Sequence, residues 1–189
     1  MRIRIFILVL FLVSLGSASA QAQWNLGLEV QGYPTGMISA VQLEYVTAKC
    51  HAFHMRAGYN MVRHRDQGVS DDERGGGPGF SLGYRHVYGP KSNQWHLGVR
   101  NDLWFNKINW EDLHADGVLH SGTTRIVVLQ PTVEAACRLP IPGTEFYYSP
   151  SIAFGFEVNV VTNGKEVGQG PILLLGLTVG KHLGDSTSK

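Results

Sequence analysis

His114, Asp116 and His120, with Glu111 and Asp112 just ahead of them, gather imidazoles and carboxylates in one polar stretch. That is a donor set for zinc or another first-row metal, but the spacing matches no established zinc pattern and no metal is expected. The same stretch sets His120 beside Ser121, a base next to a hydroxyl. A serine nucleophile needs a base held within hydrogen-bond reach, and chain neighbours lack the alternating spacing that would put both on one strand face. No catalytic residue is assigned. Upstream, Gly75-Gly76-Gly77-Pro78-Gly79 follows Asp71, Asp72 and Glu73. A glycine cradle for phosphate must follow a strand and open a helix; the segment that follows here has strand periodicity, so the stretch is expected to be a mobile surface loop.

A second set of ionisable residues has a different spacing. Glu29, Glu44, Arg56, Arg85, Arg100, Asp102, Glu134 and Glu157 all fall on the polar side of a two-residue alternation. In a narrow closed interior they would pair across the lumen, offsetting the desolvation of each charge. On a soluble surface they would be exposed pairs worth little. The rows they occupy also hold glycine, serine and glutamine rather than the lysine-rich surface of a soluble protein, which favours the interior network. Cys50 falls on the polar face of its strand and Cys137 on the apolar face of another. Side chains pointing opposite ways disfavour a disulfide, and two separate thiols are the simpler expectation.

The elements that must position these residues are strands. From Trp24 onward the dominant period is two, as in Trp24, Leu26, Leu28 and Val30 against Asn25, Gly27, Glu29 and Gln31. The pattern repeats through about eight segments, the last carrying Leu173, Leu175, Leu177 and Val179 on one side. Many are long enough to cross a bilayer at a tilt, which takes roughly 9–11 residues. The two longest connections, Arg63 to Pro78 and Lys107 to Thr123, both follow odd-numbered strands. An up-and-down barrel that starts on the periplasmic side puts such loops outside the cell and short turns within. A helical turn is allowed for only between Trp110 and Ala115. Trp24, Tyr45, Phe53, Tyr88, Trp95 and Tyr148 fall near one set of strand ends, and Tyr59, Phe80 and Phe105 near the other. Two aromatic belts are what the interfaces of a bilayer select.

The first twenty residues are of another kind. Arg2 and Arg4 precede the apolar run Ile5 to Val13, and Ala18-Ser19-Ala20 supplies the small residues of a peptidase site. The segment is expected to be a signal peptide cut after Ala20, leaving a barrel domain over 21–183 and a polar tail over 184–189. Losing two arginines from a chain of formal charge +1 leaves a charge near zero, so nucleic acid is excluded as an electrostatic partner. Charged residues make up 16% of the chain and glycine is abundant at 23 residues. Downstream of the leader no apolar stretch is long enough for a spanning helix, so insertion must be by strands.

Taken together, the alternating strands, short turns and paired aromatic belts resemble the small eight-stranded bacterial outer-membrane β-barrels, a loose superfamily that includes the outer-membrane β-barrel domain proteins and the adhesin-like and opacity-like families. The resemblance covers nearly all of the mature chain and rests on pattern. It implies an all-β, antiparallel up-and-down transmembrane barrel in the outer membrane without a cofactor. Its partners would be outer-membrane lipids, lipopolysaccharide and the barrel assembly machinery; no surface partner is indicated. Its role would be structural, adhesive or surface-interacting. The terminal aromatic that the assembly machinery reads in many such proteins has no counterpart in the tail after His182-Leu183. Some barrels of this size are lipid A-modifying enzymes, a hydrolase or acyltransferase, for which His120, Ser121 and the nearby carboxylates are the candidates. A competing class is a soluble periplasmic or secreted barrel with its faces inverted and a small apolar ligand inside. Eight strands leave a lumen that side chains fill, so no large pore is expected.

Overall fold

The computed structural model describes residues 23–65, 69–90, 92–114 and 117–183. The leader with its cleavage site, Asp116 and the tail 184–189 lie outside the described residues. Eight strands follow one another: β1 (Gln23–Tyr33), β2 (Gly36–Val46), β3 (His51–Arg65), β4 (Asp72–Tyr88), β5 (Gln94–Leu113), β6 (Leu119–Pro140), β7 (Phe146–Asn163) and β8 (Gly170–Leu183). Each pairs antiparallel with its neighbour in sequence, and β8 closes on β1 through Trp24↔Leu183 to Gly32↔Leu175. Closure leaves no sheet edge with free N–H and C=O groups. The turns at 47–50 and 141–145 and the connection from Tyr88 to Gln94 share one end of the barrel with Gln23 and Leu183.

Alternation fixes the register, because a one-residue slip would exchange the two faces. The polar rows point inward and the apolar rows outward: Glu44, Asp102 and Gln130 are fully buried, whereas Leu28, Leu82 and Leu175 are 66%, 60% and 61% exposed on the outer wall. A soluble barrel has the opposite arrangement, so the inverted-face alternative is ruled out. An apolar wall this extensive is compatible with lipid and not with water. This is the transmembrane arrangement.

The wall is uneven. β1 and β2 have 11 residues each, whereas β5 has 20 and β6 has 22. At about 3.4 Å per residue the β5–β6 hairpin reaches far beyond the end opposite the chain termini. The sequence-based loop boundaries are corrected here: most of 63–78 and 107–123 is ladder, with Arg63↔Arg74 and Asn109↔Thr123 still in register. These stretches read as loop because both faces of an overhanging ribbon are polar, as in Arg63-His64-Arg65 and Asp72-Glu73-Arg74. The expected helical turn at 110–115 is also strand through Leu113. The run Gly75–Gly79 is no mobile loop but part of β4. A Cβ at Gly75 would strike the Lys107 carbonyl oxygen, one at Gly77 the Phe105 carbonyl oxygen, and one at Gly79 the Trp104 ring. Glycine here permits close approach of two strands.

Candidate functional site

Inside the lower half of the barrel one continuous chain of ion pairs crosses the lumen. Arg56 on β3 donates to Glu29 and, at 3.1 Å, to Gln31 on β1; its other terminal nitrogen reaches Asp102 on β5 at 3.0 Å. Asp102 also accepts from Arg100 Nε at 2.8 Å, and Arg100 Nη1 donates to Glu134 on β6 at 2.7 Å. Glu134 in turn accepts from Arg85 Nε at 2.5 Å. Arg85 continues to Glu44 at 3.4 Å, which Arg138 closes at 2.6 Å. Arg56, Arg85, Arg100 and Arg138 thus balance Glu29, Glu44, Asp102 and Glu134, all buried. Neutrality with hydrogen-bonded charges is the condition under which such a network is tolerated in a low dielectric. His54 and His96 stand beside it, 3.5 Å from Glu134 and 4.0 Å from Glu44.

The eight residues singled out from the sequence divide unevenly. Seven of them (Glu29, Glu44, Arg56, Arg85, Arg100, Asp102, Glu134) are members of this chain, while Glu157 is half-buried further along the lumen, lining a small cavity with His64 and Glu73. Arg138 is the member the sequence reading missed. Its signal was available: Glu134, Ala136 and Arg138 continue one alternation to the end of β6.

Above the ion pairs the interior becomes apolar. Ile38, Trp104, Ile108, Ile126, Val128, Ala153, Ile172 and Leu174 form one buried cluster, joined by Val167 from the β7–β8 loop. Trp104 is fully buried and donates to Gln130 Oε1 at 3.0 Å. Burying each isoleucine, valine or leucine of the cluster is worth about 1.5–3 kcal/mol relative to water. The β7–β8 loop is fastened over the cluster. Lys165 Nζ lies 2.6 Å from Asp112 and over the Trp110 ring, and the Lys165 carbonyl accepts from Thr124 Oγ1 at 2.8 Å. Glu73 receives the N–H groups of Val69, Ser70 and Gly168 and a 3.0 Å contact from His64 Nδ1. Burial acts to raise the Glu73 carboxyl, but the His64 bond and these N–H groups outweigh it and hold it below the usual range.

The remaining candidates are less organised. The His114 and His120 rings lie tilted at 37° with centroids 4.2 Å apart, and His114 Nε2 is 3.9 Å from Asp112. Among the described residues no three metal-ligating side chains converge. His120 and Ser121 are consecutive on β6, so their side chains leave opposite faces of the strand and cannot act as a base–nucleophile pair. Cys50 is exposed in the β2–β3 turn at φ 62° rather than on a strand, and Cys137 donates to Asn93; both are free thiols. Trp24, Phe53, Tyr59, Phe80, Tyr88, Trp95, Phe105 and Tyr148 stand exposed on the outer wall. Tyr45 is the exception: the Trp24 ring packs over it at 4.8 Å and leaves it 8% exposed. Its direct cross-strand pairing with Trp24 brings the two rings together.

No protein-family model and no curated protein matches this chain. Solved structures do. The N-terminal β-barrel domain of Pseudomonas aeruginosa OprF shares 13% identity, with 85% of this chain and 97% of that one aligned at a TM-score of 0.50. Neisserial surface protein A aligns at 9% identity over 85% and 94% of the two chains, TM-score 0.52. A major outer membrane protein from Thermus thermophilus aligns at 13% identity over 86% and 100%, TM-score 0.56. What is shared at such identities is the fold, that of the small eight-stranded outer-membrane barrels.

Proposed function

We propose that this chain is exported, is cut after Ala20, and serves in the bacterial outer membrane as a non-enzymatic barrel with a structural or adhesive surface role carried by its overhanging β3–β6 ribbons. The observation that carries the reading is the combination of inverted faces with an overhang at one end only. The apolar wall calls for lipid, and strands that exceed the bilayer at one end call for something to do in the space beyond it. Barrels of this kind enter from the periplasm with their short turns trailing, so the overhang faces the exterior. Trp24, Phe53, Tyr88, Trp95 and Tyr148 then mark the periplasmic interface, and Tyr59, Phe80 and Phe105 the outer one. The partners on this reading are outer-membrane lipids and the barrel assembly machinery.

The test has two stages. Cells expressing the full chain are fractionated, and the membrane fraction is run on a gel heated and unheated. A detergent-dependent outer-membrane band that shifts on heating is expected; a soluble periplasmic band sinks the proposal. Replacing 109–121 with a two-residue turn should then keep the heat shift while abolishing attachment of expressing cells to surfaces. Loss of the heat shift in this variant would mean that the ribbon serves folding instead.

A further inference from the structure

Just beyond the outer aromatic row the wall turns basic. Lys107 on β5 lies directly across from Arg125 on β6, and Arg125 across from Asn163 on β7. With Thr123 these residues line a surface hollow of about 340 Å³. On the other flank Lys107 faces Gly76, so no β4 side chain fills the space beside it. Phe105 and Val127 are paired two residues below, which places the two cations roughly 7 Å beyond the aromatic row at 3.4 Å per residue.

Two like charges directly opposite each other in a sheet are mutually destabilising. The nearby carboxylates do not relieve them: Asp72 is bound to Arg74 and Asp112 to Lys165, while Glu111 lies four residues further out on the same face of β5. Among the described residues neither Lys107 nor Arg125 has an ion-pair partner. An exposed like-charged pair kept at the depth of lipid headgroups fits an anion that binds both.

We propose that Lys107 and Arg125 clamp a phosphate of the phosphorylated disaccharide headgroup of lipid A in the outer leaflet, with Thr123 and Asn163 bonding the sugar. This rests on the outer-membrane reading above. The anion chemistry is that of any phosphate; the neutral hydrogen-bonding groups beside it, and room for more than one phosphate group, favour a phosphosugar over a glycerophospholipid.

The full barrel, folded in detergent, is titrated with lipid A, with dephosphorylated lipid A and with phosphatidylglycerol, and bound lipid is counted by native mass spectrometry. Lipid A is expected to bind about tenfold more tightly than the other two, the scale of one or two charge-assisted hydrogen bonds. K107Q/R125Q should lose that preference and still shift on heating. Equal binding of dephosphorylated lipid A, or an unchanged preference in the double variant, overturns the clamp; equal binding of phosphatidylglycerol overturns lipid A as its occupant. Absence of a heat shift in the unmutated protein would overturn the membrane-barrel reading beneath it.

Discussion

Arg56 shows most directly what holds the interior together. Its guanidinium joins Glu29 and Gln31 of β1, Ser81 of β4 and Asp102 of β5 to its own strand β3. Its side chain is completely shielded. Removing one partner of a buried pair costs more than the pair ever contributed, because the other charge is left uncompensated. Arg56→Met is therefore expected to lower unfolding stability by about 3–5 kcal/mol, measured by urea unfolding of the barrel in lipid vesicles. Adding Glu29→Gln should restore part of it, since Asp102 keeps Arg100. A single variant as stable as the parent would mean that the charges are hydrated in the lumen. At this scale the sequence was informative: an acid or arginine on a polar row could be assigned to the interior from parity alone. Glu157 also has the right parity, but among the described residues no arginine or lysine is bonded to it, because pairing across a lumen depends on height as well as on face.

Among the elements, the β4–β5 ribbon has the least obvious sequence. Gly75-Gly76-Gly77-Pro78-Gly79 carries the usual signals of a loop, and a strand results because the neighbouring backbone and Trp104 occupy the places where side chains would stand. Gly77→Val is expected to destabilise the barrel by about 1–3 kcal/mol, the range for overpacking, and to weaken amide-exchange protection in β4 and β5 ahead of β1 and β2. A variant with unchanged stability and exchange would show that the strands separate at no cost and that the glycines are not needed for their approach. Strand length was the feature hardest to see in advance. Polar residues on both faces signal a loop when a segment is read alone, and only the continued pairing of Asn109 with Thr123 and Leu113 with Leu119 identifies a ribbon.

For the molecule as a whole, two layers close the lumen: the ion-pair chain below and the apolar cluster with its Lys165-fastened loop above. An eight-stranded barrel has an interior that side chains can fill, and here they do so with charge in one half and hydrocarbon in the other. Purified barrel in a planar bilayer is expected to give no steady conductance, and a large, stable open level would overturn this description of the interior. The asymmetry also gives the two ends different mechanical support, since the turns at the end bearing Gln23 are short and the opposite end carries ribbons.

Sequence alone determined the strand character of the segments and which residues share a face. Both follow from a period of two, which is local and survives without any knowledge of the partner strand. Tertiary structure alone decided what depends on height and curvature. It set which acid meets which arginine, the Arg138–Glu44 pair included, and placed Trp24 over Tyr45. It also made an apolar plug of Trp104, Ile126, Val128 and Leu174. In sequence Trp104, Val128 and Leu174 were masked by apolar neighbours on both sides, as with Leu103 and Phe105 beside Trp104 and Leu173 and Leu175 beside Leu174. Alternation assigns a residue to a face, whereas the stagger between strands assigns it a level, and that stagger is settled only when the sheet closes.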